Sequence, residues 1–327
     1  MNGCTVTDKP LISILMAVYE PRMDWLRIQL QSLNAQTYPR LRLYIRDDGS
    51  PTVPFEQIQS CAQDCISSFP YEIFQNEENL GSNGTFERLT QEAEGDLFAY
   101  CDQDDEWLPE KLTVLQAEME KSGALLVCSD MYVMDADGRV TADSITKVRR
   151  HHVFHSGTGL AERLLISNFV TGCTMLVSVK EAKAAVPFCP YMVHDHYLAL
   201  WCAEHGAIYT VLQPLISYRI HGGNQTGLMA GVTNRESYGR VRIEQPLRRM
   251  EWLSRYFHCN EALSAELQKR IEWYQARHSN WNGGGGAVAV WKGRSYSPRS
   301  ALAEIFLVHL PDAVFQTAMW FARNNRI

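Results

Sequence analysis

The sequence has no long apolar run and no excess of basic residues. Its 327 residues contain no stretch of 18 consecutive apolar residues, which argues against a transmembrane helix. The first residues, MNGCTVTDKP, hold no apolar core of signal-peptide length, so no cleaved leader is expected. The formal net charge of −6 argues against a nucleic-acid binder dominated by phosphate contacts. A ligand that carries phosphate would therefore need local cations or a metal.

Cysteine motifs are also missing. The nine cysteines include no C-x-x-C pair, and the pair Cys61 and Cys65 has no matching His or Cys pair that would complete a zinc pattern. A reduced, cytoplasmic protein is therefore expected. The apolar fraction of 46% with 21% charged residues is ordinary globular composition, and the length suits about two domains.

Strand-like and helix-like segments alternate through the first half of the chain, which predicts an α/β fold with a mostly parallel sheet flanked by helices. After residue 135 the alternation weakens, and an amphipathic helical stretch follows at 236–276. The pattern predicts an α/β domain at 1–228, a helical extension at 229–282 and an apolar tail at 283–327 that begins with the linker GGGG. Strands are predicted at 11–18, 41–48, 71–76, 97–101, 124–134 and 168–179, with one or two more in 207–221, and helices at 25–33, 54–67, 85–94 and 195–205.

The most informative feature is an acidic cluster, Asp102, Asp104 and Asp105, which directly follows the apolar strand LFAYC. Open α/β sheets bind ligands at the carboxyl ends of their strands. Asp102 and Asp104 are two residues apart on an extended chain and can point the same way. Carboxylates held together need a cation or a proton between them, and Mg²⁺ combines one or two carboxylates with substrate phosphates. The cluster therefore indicates a metal–diphosphate site, with an acidic loop before a helix as the alternative.

Seven separated motifs extend this hypothesis. In order and spacing they resemble those of the family 2 glycosyltransferases, which have the nucleotide-diphospho-sugar transferase (GT-A) fold. The resemblance covers residues 10–227 and is greatest to bacterial enzymes that build surface polysaccharides, including rhamnosyltransferase-like members. The motifs are AVYE (17–20), RDDGS (46–50), ENLGSNGTFERL (78–89), CDQDDEW (101–107), NFVTGCTM (168–175), HDHYLAL (194–200) and YRIHGGNQTG (218–227).

The resemblance implies a nucleotide site after the first two strands. Ala17 and Tyr19 would lie at the base and ribose, and Asp48 would accept a pyrimidine N–H. The local alternatives are a strand-end aromatic for Tyr19 and a plain Asx turn for Asp48.

The segment 78–89 resembles the part of the family that lies near the diphosphate. Its glycines permit unusual dihedral angles, and the N–H groups of a following helix favour an anion. Asn83 and Arg88 are the implied nucleotide contacts. The alternative is an ordinary loop in which Thr85 caps the helix and Arg88 lies on a solvated face.

The resemblance implies that Asp104 is the direct ligand of Mn²⁺ or Mg²⁺, with His221 as a second ligand. Asp102 would contact the ribose or the metal shell, and Asp105 is expected to cap the next helix. Imidazole is a competent ligand for such ions, although Mg²⁺ prefers oxygen.

In HDHYLAL the resemblance implies that Asp195 is the general base of an inverting transfer. Many relatives carry Glu before this Asp, whereas this chain has His194. The alternative is that Asp195 only caps its helix. Thr171, Gly172, Trp107 and His194 are the implied residues of the sugar or acceptor pocket.

Taken together, the resemblance implies an inverting, metal-dependent enzyme that moves one sugar from a UDP- or dTDP-sugar to a hydroxyl of a growing, lipid-linked surface glycan. It would work in the cytoplasm or at the inner face of the membrane, with no nucleic-acid partner. The apolar tail either touches an anionic membrane or packs on the core. The alternatives are a non-catalytic GT-A binding module and a sugar nucleotidyltransferase, although AVYEPRMDW lacks the Gly-rich, basic signature of the latter.

Overall fold

The computed structural model describes residues 9–149, 151–221 and 231–324. The chain divides into two compact units. The first consists of Met1–Phe188 and Val193–His221, and the second of Cys189–Met192 and Gly222–Ile327. The predicted boundary at residues 228 and 229 lies outside the described residues.

The first unit is built around a nine-stranded sheet, which confirms the predicted α/β class. The strand order is β3-β2-β1-β4-β8-β6-β9-β5, and β7 pairs with β6. Strands β1, β2, β3, β4, β6 and β9 run in one direction, whereas β5, β7 and β8 run in the other. The strands are β1 Ile12–Val18, β2 Leu41–Asp47, β3 Tyr71–Gln75, β4 Leu97–Cys101, β5 Glu106–Trp107, β6 Leu126–Met134, β7 Val140–Ala142, β8 Met175–Ser178 and β9 Ile208–Arg219.

Helices cover this sheet because each carries an apolar stripe that must be buried. In α1, for example, Leu26, Leu30 and Leu33 recur at helical spacing and are fully buried in the core that β1 and β2 share. The helices of the first unit are α1 Met23–Asn34, α2 Phe55–Cys65, α3 Gly81–Glu92, α4 Lys111–Ser122, α5 Ile145–Val148, α6 Ala161–Leu164, α7 Val179–Ala184 and α8 His194–His205.

The second unit is helical in its described part. Its core includes Tyr238, Phe315 and Met319, and an ion pair lies inside it. Arg277 donates two hydrogen bonds to Glu304, of 2.6 and 2.7 Å, and both side chains are buried. The helices are α9 Arg235–Tyr238, α10 Gln245–Tyr256, α11 Glu261–Trp281, α12 Ala287–Lys292, α13 Pro298–Leu307 and α14 Asp312–Asn324, with a π-helical segment at Gly239–Glu244.

The predictions for 168–179 and 236–276 differ from the structure. Residues 168–174 are not strand, and β8 is only Met175–Ser178, because the chain first forms a 3₁₀ turn at Gly172–Thr174. The segment 207–221, predicted to hold one or two strands, forms the single strand β9, which confirms that prediction. The helical stretch at 236–276 is broken after Tyr256, where Asn260 starts α11 by accepting a hydrogen bond from the Leu263 N–H.

Candidate active site

The predicted motifs meet at one edge of the sheet. Tyr19, Asp48 and Asp102 follow the carboxyl ends of β1, β2 and β4. Strand β1 lies between β2 and β4 and is parallel to both. His221 follows the end of β9, which has the same direction. Strand β8 runs the opposite way, so the segment that precedes it, including Gly172, also lies at this edge. The topology therefore gathers motifs that are far apart in the sequence.

Asp104 and His221 are in direct contact. The distance from Asp104 Oδ2 to His221 Nε2 is 2.7 Å, and the two side chains are 18% and 22% exposed. A carboxylate oxygen and an imidazole nitrogen are thus presented together at the rim of the site. Gly222 and Gly223, the next two residues of this motif, lie outside the described residues.

Two side chains that the sequence did not indicate hold this pair. The Trp25 ring lies against the His221 ring, with 5.0 Å between centroids. Arg219 is buried, and its Nε donates to the Asp104 carbonyl at 2.7 Å. Trp25 also lies under the Arg219 guanidinium, 4.9 Å from the ring centroid. Neighbours of this kind fix the orientation of metal-ligating groups.

Asp105 does not cap a helix, so that expectation was wrong. The following helix, α4, begins only at Lys111. Asp105 is instead fully buried and accepts the backbone N–H of Arg219 at 2.9 Å, which joins the acidic loop to β9. Burial and the charge of Asp104 raise the pKa of Asp105 to about 7.

A buried lysine lies beneath the acidic cluster. Lys111 Nζ is 3.0 Å from the centre of the Trp107 ring and donates to the Cys173 carbonyl. Burial lowers the pKa of Lys111 to about 7, and electrostatic interactions with the acidic cluster and with the neighbouring Cys173 and Cys101 oppose that fall. Burial, followed by the charges of its two acidic neighbours, raises the pKa of Asp102 well above the usual range. Burial therefore disfavours the charged forms of both Lys111 and Asp102 in the interior of the cluster.

Asp102, Asp105 and Cys173 also lie close enough to hold a metal ion, because their ligand atoms are within 4.8 Å of one another. Burial raises the pKa of the Cys173 thiol well above its ordinary value, however, and only a thiolate is a good ligand. Mn²⁺ and Mg²⁺ prefer oxygen and, for Mn²⁺, imidazole. The partly exposed pair Asp104 and His221, with Asp102 beside it, fits such an ion better than the buried group does.

Asp195 lies in the first turn of α8 and accepts hydrogen bonds from the segment that precedes β8. Asn168 Nδ2 donates to Oδ1 at 3.1 Å, and the Gly172 N–H donates to Oδ2 at 2.9 Å. Burial raises the pKa of Asp195 to about 6 even though both hydrogen bonds lower it. Its charge contributes to the raised pKa of Asp102, so Asp195 is within electrostatic reach of the acidic cluster. The carboxylate is therefore oriented, largely desolvated and basic enough to accept a proton near neutral pH.

The turn at Gly172 is packed tightly against α8. A Cβ at this position would lie 2.8 Å from His194 Nε2 and 3.6 Å from the Asp195 Cβ. Lys111 binds the same turn through the Cys173 carbonyl. The turn that donates to Asp195 is therefore fixed from two sides, and only glycine fits its closest point.

Two residues predicted for the sugar or acceptor pocket are in the interior. His194 lies between Phe86 and Tyr100, with ring centroids 4.1 and 5.3 Å away, and burial lowers its pKa to about 3. Trp107 is 2% exposed and supports Lys111. Both side chains are therefore buried supports of neighbouring residues and are not placed to contact a sugar.

The predicted nucleotide residues border the same edge. Tyr19 is exposed, and its backbone is held by Gln103, which accepts from the Tyr19 N–H at 2.8 Å and donates to the Tyr19 carbonyl at 3.0 Å. Asp48 is buried and accepts from Asn76 Nδ2 and from the Leu80 N–H. Ala17 is half-buried on β1. Through its two hydrogen bonds with the Tyr19 backbone, Gln103 links the acidic loop to the end of β1. The sequence motifs did not indicate this role.

The segment 78–89 begins its helix earlier than predicted. Helix α3 starts at Gly81, so Thr85 lies within the helix and does not cap it. The Thr85 hydroxyl instead accepts a hydrogen bond from Asn76 Nδ2. Asn83 is half-buried in the first turn. Arg88 pairs with Glu92 at 2.9 Å. Arg88 also lines a cleft of about 390 Å³ together with Glu77, Glu78 and Leu80. The carboxylates of Glu77 and Glu78 would repel a diphosphate from that cleft.

Comparisons with known proteins show which family this chain resembles. A profile of glycosyl transferase family 2 matches residues 13–179. An uncharacterized glycosyltransferase of Nostoc sp. is 27% identical over 289 residues, which cover 83% of this chain and 84% of that protein.

Solved structures show the same fold. S. aureus TarS 1-349 in complex with UDP-GlcNAc aligns with a TM-score of 0.58 at 16% identity, over 96% of this chain and 91% of that one. This chain spans 52% of a longer TarS chain. A mannosyltransferase from Pyrobaculum calidifontis, in complex with GDP-Man and Mn2+, aligns with a TM-score of 0.55 at 13% identity, over 97% of this chain and 86% of that one. With a family profile that covers more than half of the residues and a GT-A-type fold, the chain belongs to glycosyl transferase family 2.

Proposed function

We propose that the protein is an inverting, metal-dependent glycosyltransferase. It moves a single sugar from a UDP- or dTDP-sugar to a hydroxyl of a growing surface glycan that is carried on a lipid. The observation that carries this proposal is Asp195, a buried and oriented carboxylate with a pKa of about 6, within electrostatic reach of the acidic cluster. Membership of the family and the nucleotide sugars named with its structural relatives support a nucleotide-sugar donor.

In the proposed reaction, Asp195 accepts the proton of the acceptor hydroxyl as that oxygen attacks the anomeric carbon. The new C–O bond forms on the face opposite the diphosphate, whose bond to the same carbon breaks, so the anomeric configuration inverts. Asn168 and the Gly172 N–H hold the base in one orientation throughout. A pKa of about 6 leaves Asp195 ionised at neutral pH while keeping it more basic than an exposed carboxylate.

A divalent ion, Mn²⁺ or Mg²⁺, would be held by Asp104 and His221, with Asp102 contributing to its shell or to the ribose. The ion supplies charge neutralisation for the departing nucleoside diphosphate. Trp25 and Arg219 keep the two ligands in place through the contacts described above. This chain has no excess of positive charge, so a metal is the simplest source of that neutralisation.

For the nucleotide, we propose that the base and ribose lie against Ala17 and Tyr19, with Asp48 accepting from the base. Asn83, in the first turn of α3, and Arg88 are proposed as contacts of the nucleotide, outside the acidic cleft that Arg88 also lines. Thr171, next to the turn that holds the base, is the proposed contact for the acceptor or the sugar.

The proposal is tested by incubating the protein with UDP-, dTDP- and GDP-sugars and Mn²⁺, and by measuring nucleoside diphosphate release with water in the place of the acceptor. We expect release from at least one UDP- or dTDP-sugar, abolished by EDTA and restored by Mn²⁺ or Mg²⁺. Binding of nucleotide without release from any donor would instead favour a non-catalytic module. Release that EDTA leaves unchanged would overturn the metal dependence.

A further inference from the structure

The last three helices of the second unit expose an unusual number of large apolar side chains. Among the described residues, α12, α13 and α14 together present seven of them to solvent, four of which are aromatic. Surface residues of this kind normally occur singly, whereas a concentration of them marks an interaction surface. They are Val288, Trp291, Leu302, Phe306, Val314, Trp320 and Phe321. We call this set the apolar surface.

Helix α14 carries two separate apolar faces. Phe315 and Met319, four residues apart, are buried in the core of the second unit. Val314 and Phe321, seven residues apart, share another face of the helix and are exposed. One face therefore accounts for folding, and the exposed face is not needed for it.

Helix α13 repeats this arrangement. Ala301 and Glu304 are buried, whereas Leu302 and Phe306, four residues apart, are exposed. The sequence had left open whether the tail packs on the core or contacts a membrane. The tail does pack on the second unit, and it also leaves an apolar surface uncovered.

The segment that carries this surface has more basic than acidic residues. Residues 287–324 contain four basic and two acidic residues in a chain whose net charge is −6. Both acidic residues are paired: Glu304 is buried against Arg277, and Asp312 is 2.8 Å from Arg235. Lys292 and Arg294, by contrast, have exposed side chains. The exposed charge of this segment is therefore basic on balance, because the exposed Asp312 is paired with Arg235.

We propose that α12, α13 and α14 dock on an anionic lipid bilayer and lie in its interfacial plane. Exposed Trp and Phe beside Lys and Arg form the composition of amphipathic helices that bind such surfaces. No helix in the described part of the chain is long and apolar enough to cross a membrane, so insertion is limited to the interface. The docking would bring the proposed lipid-linked acceptor to the enzyme. This purpose rests on the proposed function, whereas membrane binding itself does not.

The experiment is sedimentation of the full chain with vesicles of phosphatidylcholine alone or mixed with phosphatidylglycerol, without donor or acceptor. We expect binding to the mixed vesicles, weaker binding to phosphatidylcholine alone, and weakening by salt. Replacement of both Phe306 and Phe321 by Ser should lower partitioning about tenfold or more, because each exposed ring contributes apolar area. Lys292→Glu with Arg294→Glu should remove the preference for the mixed vesicles.

Tyr256→Ser is the matched control, because Tyr256 belongs to the same unit, lies outside the apolar surface and is 57% exposed, compared with 67% for Phe306 and 52% for Phe321. It should leave partitioning unchanged. Failure of the wild type to bind mixed vesicles, or equal binding by the Phe double variant, would overturn the proposal. The proposal would also be overturned if the wild type bound no vesicles and formed a dimer in sedimentation velocity that the Phe double variant does not form. A second copy of the chain would then cover the apolar surface. Vesicle binding and sugar transfer are measured separately, so either proposal can fail alone.

Discussion

Replacing Asp195 by Asn separates the chemical role of this residue from its structural one. The amide has nearly the same shape, and its oxygen can keep one of the two hydrogen bonds from Asn168 and Gly172. It cannot accept a proton from a hydroxyl. We expect nucleoside diphosphate release to fall about 10²–10⁴-fold, the usual contribution of a general base, with nucleotide binding retained.

The same substitution has a predicted effect on stability. The pKa of Asp195 rises from 3.8 to about 6 on folding, which corresponds to about 3 kcal/mol. A carboxyl with a raised pKa stabilises the fold below pH 4, and this contribution is lost as the pH rises through 6. The free energy of unfolding of Asp195→Asn, relative to wild type, should therefore increase by about 2 kcal/mol between pH 4.5 and 7.5.

Two assays check this reasoning. Urea unfolding at several pH values measures the stability difference, and donor hydrolysis at the same pH values should show wild-type activity falling about tenfold per pH unit below pH 6. Asp137→Asn, in an exposed turn, is the control and should alter neither quantity. A variant at Asp195 that keeps more than about a tenth of wild-type release would refute the base assignment. A stability difference independent of pH would refute the buried-carboxylate argument.

Other substitutions test separate parts of the structure. Gly172→Ala should lower release about tenfold and stability by about 1–3 kcal/mol, because the new Cβ would meet His194 and displace the turn that donates to the base; unchanged kinetics and melting would contradict this packing. His221→Ala should weaken Mn²⁺-dependent nucleotide binding by about tenfold or more, as measured by calorimetry, and equal affinity would remove His221 from the metal site. Glu304→Gln should destabilise the protein by about 3–5 kcal/mol in thermal unfolding, because Arg277 would remain buried without its countercharge; a change below about 1 kcal/mol would show that this pair is not important for stability.

The sequence predicted the parts of the fold that local pattern controls. Buried strands are short apolar runs, and those of β1, β2, β4 and β6 were found close to their observed ends. The order of strand and helix then predicted a mostly parallel sheet, and the edge where Asp102 and Asp104 lie follows from that order. The start of α3 was missed because it depends on a contact with Asp48, which is distant in the sequence.

The supporting residues of the site were missed for the same reason. Arg219 meets Asp104 across 115 positions and Lys111 meets Cys173 across 62, and no local pattern records such pairs. Lys111 left one usable signal, because it shares a helical face with the buried Leu115 four residues later. Asn168 had no signal of this kind, because its role depends on how α8 packs against the turn.

The most direct test of the central claim is calorimetry of UDP, dTDP and GDP with the wild type and Asp104→Asn, each with Mn²⁺ and with EDTA. We expect the wild type to bind UDP or dTDP with Mn²⁺ and to lose that binding in EDTA. We expect Asp104→Asn to bind weakly under both conditions, because the carboxylate next to His221 is gone. Binding of none of the three nucleotides by the wild type, or equal binding by both proteins in EDTA and Mn²⁺, would contradict a metal–diphosphate site at the acidic cluster.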